Sequence, residues 1–576
     1  MHDLVIRDGM IADGSGRPCF RGDIAIDGDR IVEVGTVAAR GHRELEADGL
    51  LVTPGFVDVH THYDGQATWD DELAPSSWHG VTTAVFGNCG VGFAPLRPNS
   101  EAFLIELMEG VEDIPGSVMA EGINFSWESF AEYLDALDAR SYAMDIGAQV
   151  PHSALRVYVM GARGADHLEA PTAVEIAMMG RLAAEGIVAG ALGFTTSRTR
   201  NHKTLAGRLI PTLSAHHDEL LGIADALSGL DQGVLQVVSD AFIEPTGDEL
   251  DIEFELMRAM ALTSGRPISI SLLQGNGDGG HWKRVLELMD DARRDGAVMR
   301  AQVAPRAVGV LCGLQATSNP FGSKPSYREI AHLALDQRVV EMRRPERRAA
   351  ILAEEPGSHK FTRMVHDSMD RLFELGEIPD YEPDPSSSVA ARAQRLGISA
   401  HELAYDLLLR RDGRELLYFP LQNYDDGNLD AVREMLQHPR TVPGLSDGGA
   451  HAGTLCDASF PTFLLAHWGR DRSRGERLPL ESLVKAHTRD TADLIGLRDR
   501  GLIEPGLKAD LNIIDFAELN VAPPVIVHDL PAGGRRLVQQ AVGYRHTICS
   551  GVETFTDGVP TGDHPGRLVR GARSRS

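Results

Sequence analysis

The sequence predicts an α/β fold, a (β/α)8 TIM barrel joined to a small β-sandwich that the two chain ends build together. Three observations carry this expectation. Through the middle of the chain, short apolar runs alternate with amphipathic helical stretches. Both ends alternate residue by residue, as half-buried strands do. One long charged, proline-containing stretch interrupts the pattern late in the barrel.

Residues 1–55 read as the first part of the β-sandwich. Asp23-Ile24-Ala25-Ile26 alternates, Asp27-Gly28-Asp29 turns the chain, and Ile31-Val32-Glu33-Val34 returns as a hairpin. Residues 496–576 repeat the style with Ala509-Asp510-Leu511-Asn512-Ile513-Ile514 and Tyr544-Arg545-His546-Thr547-Ile548-Cys549, turning at Ser550-Gly551. Neither end has enough strands for a stable core alone, and together they can form one. Residues 56–495 are expected to hold the barrel, with strands at 56–59, 82–86, 144–150, 191–194, 234–238, 268–272, 297–303 and 442–446, the number that closes it. Amphipathic helices fit between them, as at 249–263. The stretch 318–436 reads as a mostly helical insertion, with a charged segment at 339–355 and then Pro379, Pro383, Pro385 and Ser386-Ser387-Ser388. Insertions of this size commonly lie over the barrel mouth or serve subunit contacts. The basic end, Arg570 to Ser576, is expected to fray.

At 576 residues the chain exceeds one ordinary domain, and 43% hydrophobic content supports a sizeable core. No apolar stretch is long enough to span a membrane. A formal charge of −27 argues against nucleic acid or an anionic membrane surface as partner and points to a small-molecule substrate. Met1 leads almost directly into Leu4-Val5-Ile6 without a basic-then-apolar leader, so a cytoplasmic location is expected. The odd, scattered set Cys19, Cys89, Cys312, Cys456 and Cys549 fits a reducing compartment better than a disulfide framework.

The chemistry is concentrated at the first barrel strand. Phe56-Val57-Asp58-Val59 ends in His60-Thr61-His62. Side chains two apart on a strand share a face, so both imidazoles can converge on one ion. The pair alone reads equally well as two surface histidines; the Pro54-Gly55 turn and the buried strand favour a metal site. Barrel enzymes place function at strand carboxyl ends. Cys89, in Gly87-Asn88-Cys89-Gly90, is then either a thiolate ligand or an inert buried cysteine. Asp447 ends the eighth strand, although an Asp before Gly-Gly also forms ordinary turns. His451 follows as a residue beside the site, facing substrate, or merely opening a helix. His152 after the third strand can polarise a carbonyl or simply pack. Arg198 and Arg200 after the fourth strand, and Gln302 and Arg306 at the seventh, are candidates for substrate binding, since guanidinium clamps carboxylates. His216-His217 reads as a helix start, and His202 and Lys203 lie too far into a loop to assign.

These residues carry a resemblance. Pro54 to His62 resembles the first-strand motif of the amidohydrolase superfamily. Phe86-Gly87-Asn88-Cys89-Gly90 and His528-Asp529-Leu530-Pro531-Ala532-Gly533-Gly534 resemble its N-acyl-D-amino-acid deacylase (D-aminoacylase-like) branch, as does Ser446-Asp447-Gly448-Gly449-Ala450-His451 at the last strand. The likeness runs from the first residues to about Arg570. It implies the β-sandwich built from both ends, metal ligation by His60, His62, Cys89 and Asp447, and Asp447 as general base that later protonates the leaving nitrogen. The sequence departs from the family where histidines should end strands five and six: Gln236-Val237-Val238-Ser239-Asp240 and Ser269-Ile270-Ser271-Leu272-Leu273-Gln274 hold none. Strand four, Ala191 to Thr196, has no lysine to carboxylate. One zinc ion is therefore expected rather than two, with Asp240 or water completing the site and another divalent metal also compatible. The implied substrate is an N-acyl (D-)amino acid and the implied assembly a homo-oligomer. A cyclic amide, a lactone, another activated carbonyl or a metal-free scaffold are the alternatives.

Overall fold

All eight apolar runs are strands in the computed structural model, which describes residues 1–571 apart from 278 and 359. They are Phe56–Asp58, Val81–Phe86, Asp145–Ala148, Gly193–Arg198, Val234–Ser239, Ile268–Ser271, Met299–Val303 and Thr441–Pro443. Short apolar stretches with β-branched residues favour these strands, and in Val81–Phe86 and Val234–Ser239 every residue is buried. Burial on both faces is the mark of a parallel sheet covered by helices. The strands pair parallel in chain order, but in two arcs. Strands one to three form the first; Val150–Pro151, the continuation of strand three, opens the second, which runs through strands four to eight.

Gln149 lies at the break. It keeps single bonds on each side, Gln149 N–H to Phe86 O at 2.9 Å and Leu192 N–H to Ala148 O at 2.8 Å. Strands eight and one meet beyond their ends, where Asp447 N–H donates to His60 O (3.1 Å) and His62 N–H to Gly448 O (2.7 Å). The ladder is thus not a continuous closed ring, and the strand-eight contact falls on the residues expected to do chemistry.

Both chain ends enter one nine-stranded sheet: Leu511–Ile514 pairs with Leu51–Pro54 on one side and Tyr544–Cys549 on the other. The predicted hairpin is present, with Asp27 opposite Arg30 and Gly28 at φ 56°. Ile6, Ile24, Ile26, Ile31, Ile513 and Ile548 share one core, so a single curled sheet stands where two facing sheets were expected. A buried ion cluster joins it to the parallel set, with Arg500 donating to Asp145 Oδ2 (2.7 Å) and Lys508 meeting the same carboxylate.

Two segments of 496–576 leave this sheet. Val525–Leu530 and Gly534–Val538 form a separate antiparallel ribbon. The chain end runs beside strand three, with Val569 N–H donating to Ile146 O (2.7 Å), and Arg570 is pinned by Asp135 and Asp138. Fraying therefore does not begin at Arg570, and residues 572–576 lie outside the described residues.

The insertion packs around its own core of Phe321, Tyr327, Ile351, Leu403 and Leu408. It is not only helical. Val308–Cys312, Phe373–Glu374 and Leu417–Gln422 make a three-stranded antiparallel sheet within and beside it. No helix among the described residues is long and apolar enough to cross a membrane. All five cysteines are free.

Candidate metal centre

The first strand delivers His60 and His62 into the interior, both buried, with ring centroids 5.6 Å apart. Cys89 reaches them from a turn in left-handed conformation (φ 56°) after strand two. That turn needs its glycines: a Cβ on Gly87 would lie 2.3 Å from Gln149 O, and one on Gly90 2.9 Å from Thr196 Cα. Cys89 Sγ lies 3.3 Å from His60 Nε2, and the ligand atoms of His60, His62 and Cys89 all fall within 4.8 Å of one another. Asp447 closes the group from strand eight, its Oδ1 3.4 Å from His60 Nε2 and 3.6 Å from His62 Nε2. Gly448 and Gly449 are more than turn formers. A Cβ on Gly448 would strike Ser76 Oγ at 2.3 Å, so the loop carrying Asp447 could not sit on the first strand with larger residues.

Electrostatics fit a cation. Burial pushes the His60 pKa down to about 4, leaving a neutral imidazole with a lone pair to share. Burial likewise pushes the Cys89 thiol up to about 12, against the pull of His62, so the thiolate needs a positive partner. Burial alone would raise Asp447, but His62, His60 and His451 outweigh it and hold the carboxyl well below its usual range. Two imidazoles, a thiol and an ionised carboxylate form a donor set suited to zinc.

Other predicted residues fall into three groups. His451 belongs here, with Nε2 3.8 Å from Asp447 Oδ2. Gln302 is also at the centre, but on the far side of His60: its Oε1 is 2.5 Å from His60 Nδ1, and its Nε2 donates to Ser269 (2.8 Å). It holds the His60 ring and does not line the pocket beside Asp447. The rest are engaged elsewhere. His152 has both nitrogens occupied, by Thr196 Oγ1 (2.9 Å) and Glu219 Oε1 (3.0 Å), and is fully buried, so it has no free nitrogen to polarise a carbonyl.

Arg198 donates to Glu253 and to Ala215 O. Arg200, 55% exposed, pairs with Asp240, which occupies that carboxylate and removes it as a ligand. Both line a shallow surface depression with Asp240 that shares no residue with the one beside Asp447. Arg306 is buried against the Tyr381 ring (3.6 Å) and paired with Asp457 (3.0 Å), out of reach of a substrate clamp. His216 accepts from Asp218 N–H and caps the helix His217–Ala226.

Three features escaped sequence reasoning. Glu112, buried at the end of the helix Glu101–Glu112, stands 3.4 Å from His62. Its signal was the four-residue spacing Leu104, Met108, Glu112 on an apolar face. His202 is half-buried and close enough to feel the charges of His62, His451 and Asp447, and Gly110 lets the Glu112 helix close on its loop, a Cβ there lying 2.3 Å from Lys203 O. Finally, the ribbon 525–538 covers a pocket of about 710 Å³, mouth included, beside Asp447 and His451. Trp69, Phe93, Ile114 and Met119 make its apolar wall, and Leu530, Arg536 and Leu537 come from the ribbon.

Comparison with known proteins gives the family of this chain. Residues 43–555 match the model of an amidohydrolase family. The chain is 26% identical to D-aminoacylase of Alcaligenes xylosoxydans xylosoxydans over 98% of its own length and 97% of the relative's. It is equally similar, at 26% over 99% and 96%, to N-acyl-D-glutamate deacylase of the same organism. Among solved structures, D-aminoacylase superposes with a TM-score of 0.65 at 23% identity, covering 99% of this chain and all of that one. N-acyl-D-glutamate deacylase of Bordetella bronchiseptica, complexed with zinc and a phosphonate mimic of the tetrahedral intermediate, gives 0.64 at 23%, covering 99% of each. The chain belongs to the amidohydrolase family.

Proposed function

We propose that the protein is a zinc-dependent hydrolase of the amide bond of N-acyl amino acids, with the D-series preferred. The convergence of His60, His62, Cys89 and Asp447 carries this reading. Similarity to D-aminoacylase and N-acyl-D-glutamate deacylase along the chain, and to N-acyl-D-aspartate deacylase over 39% of it, supports the substrate class. The two arcs are read as one (β/α)8 barrel (56–495) opened at Gln149, with 1–55 and 496–576 as its β domain.

A zinc ion held by this donor set supplies Lewis acidity, making water acidic near neutral pH and polarising the scissile carbonyl. Every other task falls to side chains. Asp447, 19% exposed and lining the pocket, takes the proton of the attacking water. The same carboxyl then returns that proton to the departing nitrogen. Gln302 holds the His60 ring, and His451 borders the space where the carbonyl group sits. Apolar Trp69, Phe93, Ile114 and Met119 receive an acyl chain or apolar side chain and exclude water. Arg536 is the guanidinium on the pocket wall, but Asp529 and Ala74 O take its three nitrogens, so the clamp first expected of Arg198, Arg200 and Arg306 is not assigned to it. One ion is proposed, because strands five and six supply glutamine and serine where a second ion would need imidazoles. Among the relatives, D-aminoacylase has a binuclear centre described by one-metal activation and second-metal attenuation.

The test is a panel of N-acetyl-D- and N-acetyl-L-amino acids, with cyclic amides and lactones alongside, assayed on chelated and zinc-restored protein. Zinc-dependent turnover of apolar N-acetyl-D-amino acids is expected. Turnover confined to cyclic amides or lactones would reassign the bond, and equal turnover without metal would remove the mechanism.

A further inference from the structure

The His62 side of the centre has a partner with no role in the reaction just described. Glu112 is buried to 1% exposure, and its Oε1 stands 3.4 Å from His62 Nδ1. Neither atom has a hydrogen-bond partner among the described residues. The second oxygen, Oε2, faces His451 Nε2 at 3.7 Å; that nitrogen is 3.8 Å from Asp447 Oδ2, and Asp447 Oδ1 is 3.6 Å from His62 Nε2. The four side chains therefore form a ring around one side of the centre.

The carboxylate is held in place by its backbone. His451 N–H donates to Glu112 O, and the next residue, Asp113, accepts from Gly453 N–H (3.1 Å) and the Thr454 hydroxyl. The helix of Glu112 and the loop of Asp447 are thus tied together.

A bare carboxylate oxygen in the interior is costly unless an N–H points at it. A neutral imidazole has one N–H to give. Given to Glu112 from Nδ1, it leaves the Nε2 lone pair of His62 on the Asp447 side. The same division holds at His60, where Nδ1 meets Gln302 Oε1 at 2.5 Å while Nε2 faces Cys89 and Asp447. Both imidazoles are then anchored by one nitrogen and presented by the other.

We propose that Glu112 is a positioning residue of the metal centre: it accepts the Nδ1 proton of His62, fixes which nitrogen faces the ion, and so sets zinc affinity. This rests on the metal-centre reading above. Partners that orient a metal-binding histidine typically contribute about 10–100-fold in affinity.

The experiment is chelator-competition titration of the full-length protein with zinc. Glu112→Ala is expected to weaken binding about 10–100-fold. Glu112→Gln should lose less, since its amide oxygen still accepts the Nδ1 proton; it carries the comparison if the alanine variant does not fold. In a His62→Ala background, followed to millimolar zinc, either change should add less than about twofold, because the coupling runs through His62. Unchanged affinity in folded variants overturns the proposal. So does an equal loss in both backgrounds, which would mean Glu112 acts without His62. Failure of the underlying reading looks different, because the wild type itself would then bind no zinc; that result overturns both.

Discussion

Two buried charged clusters in this molecule are built on opposite plans. Around Glu382, in the insertion, every polar atom is answered: Oε1 accepts from Leu429 N–H (2.9 Å) and Arg472 Nη2 (2.9 Å), and Oε2 from Arg472 Nε (3.1 Å) and His467 Nε2 (3.0 Å). Arg472 also reaches Asp430 and Glu476 O. At the candidate metal centre, His62 Nδ1 and Glu112 Oε1 are left unmatched among the described residues, and a thiol, two imidazoles and a carboxylate crowd together. Buried polar groups are normally satisfied, so a group of donors that satisfy one another poorly is arranged for something else. On the proposed reading the first cluster holds the fold and the second is kept for chemistry.

The sharpest way to separate the two is to cut one residue from each. Asp447→Asn keeps an oxygen for coordination but cannot accept a proton from water, so kcat should fall about 10²–10⁴-fold while zinc stays bound. Near wild-type kcat with the same acidic limb of the pH profile would assign the base elsewhere. Arg472→Met should do the reverse. Removing one partner of a buried pair costs about 3–5 kcal/mol, read by urea unfolding, with zinc affinity unchanged. A variant of wild-type stability would deny Glu382 its structural role.

Cys89→Ser should weaken zinc retention by more than the about 10–100-fold that an outer partner contributes, whereas Cys312→Ser should not. Thiol labelling that is equally fast with and without zinc at Cys89 would return it to the inert core. Acid gives a gentler contrast. Burial would raise the Glu382 pKa, but His467, Arg472 and the Leu429 N–H outweigh it and bring it down to about 2 from an ordinary 4.5. A carboxyl lowered on folding stabilises fully above its ordinary value and loses that contribution as pH falls through the folded one. Stability of the wild type should therefore decline between these values more steeply than that of Glu382→Gln. The smallest effect belongs to Arg198→Ala, whose side chain serves Glu253 and not the pocket: kcat/KM should stay within about twofold, as expected of a site distant from the chemistry.

What could be read from the sequence follows the range of the interactions involved. His60 and His62 were legible because their spacing places them on one face after a Pro-Gly turn and a buried strand, and Cys89 because of its flanking glycines; the resemblance decided both. The eight strands were legible as short apolar runs alternating with helical stretches; the break at Gln149 was not, because single hydrogen bonds leave no mark in composition. The pairing of Val308–Cys312 with Leu417–Gln422 was hidden by the helices between them. The arginines misled for a related reason. A cation after a strand end takes whichever acid the neighbouring elements offer, and Arg198, Arg200 and Arg306 found Glu253, Asp240 and Asp457. Glu112 was passed over because it approaches from a helix, while strand ends were the places searched.

The central claim is that His60, His62, Cys89 and Asp447 together bind a catalytic ion. Elemental analysis of zinc per chain in the wild type, His60→Ala and His62→Ala, each purified without added metal and checked for folding by circular dichroism, tests it most directly. A single ion in the wild type and none in either folded variant is predicted. Equal metal content in all three, or none in an active wild type, would contradict the account.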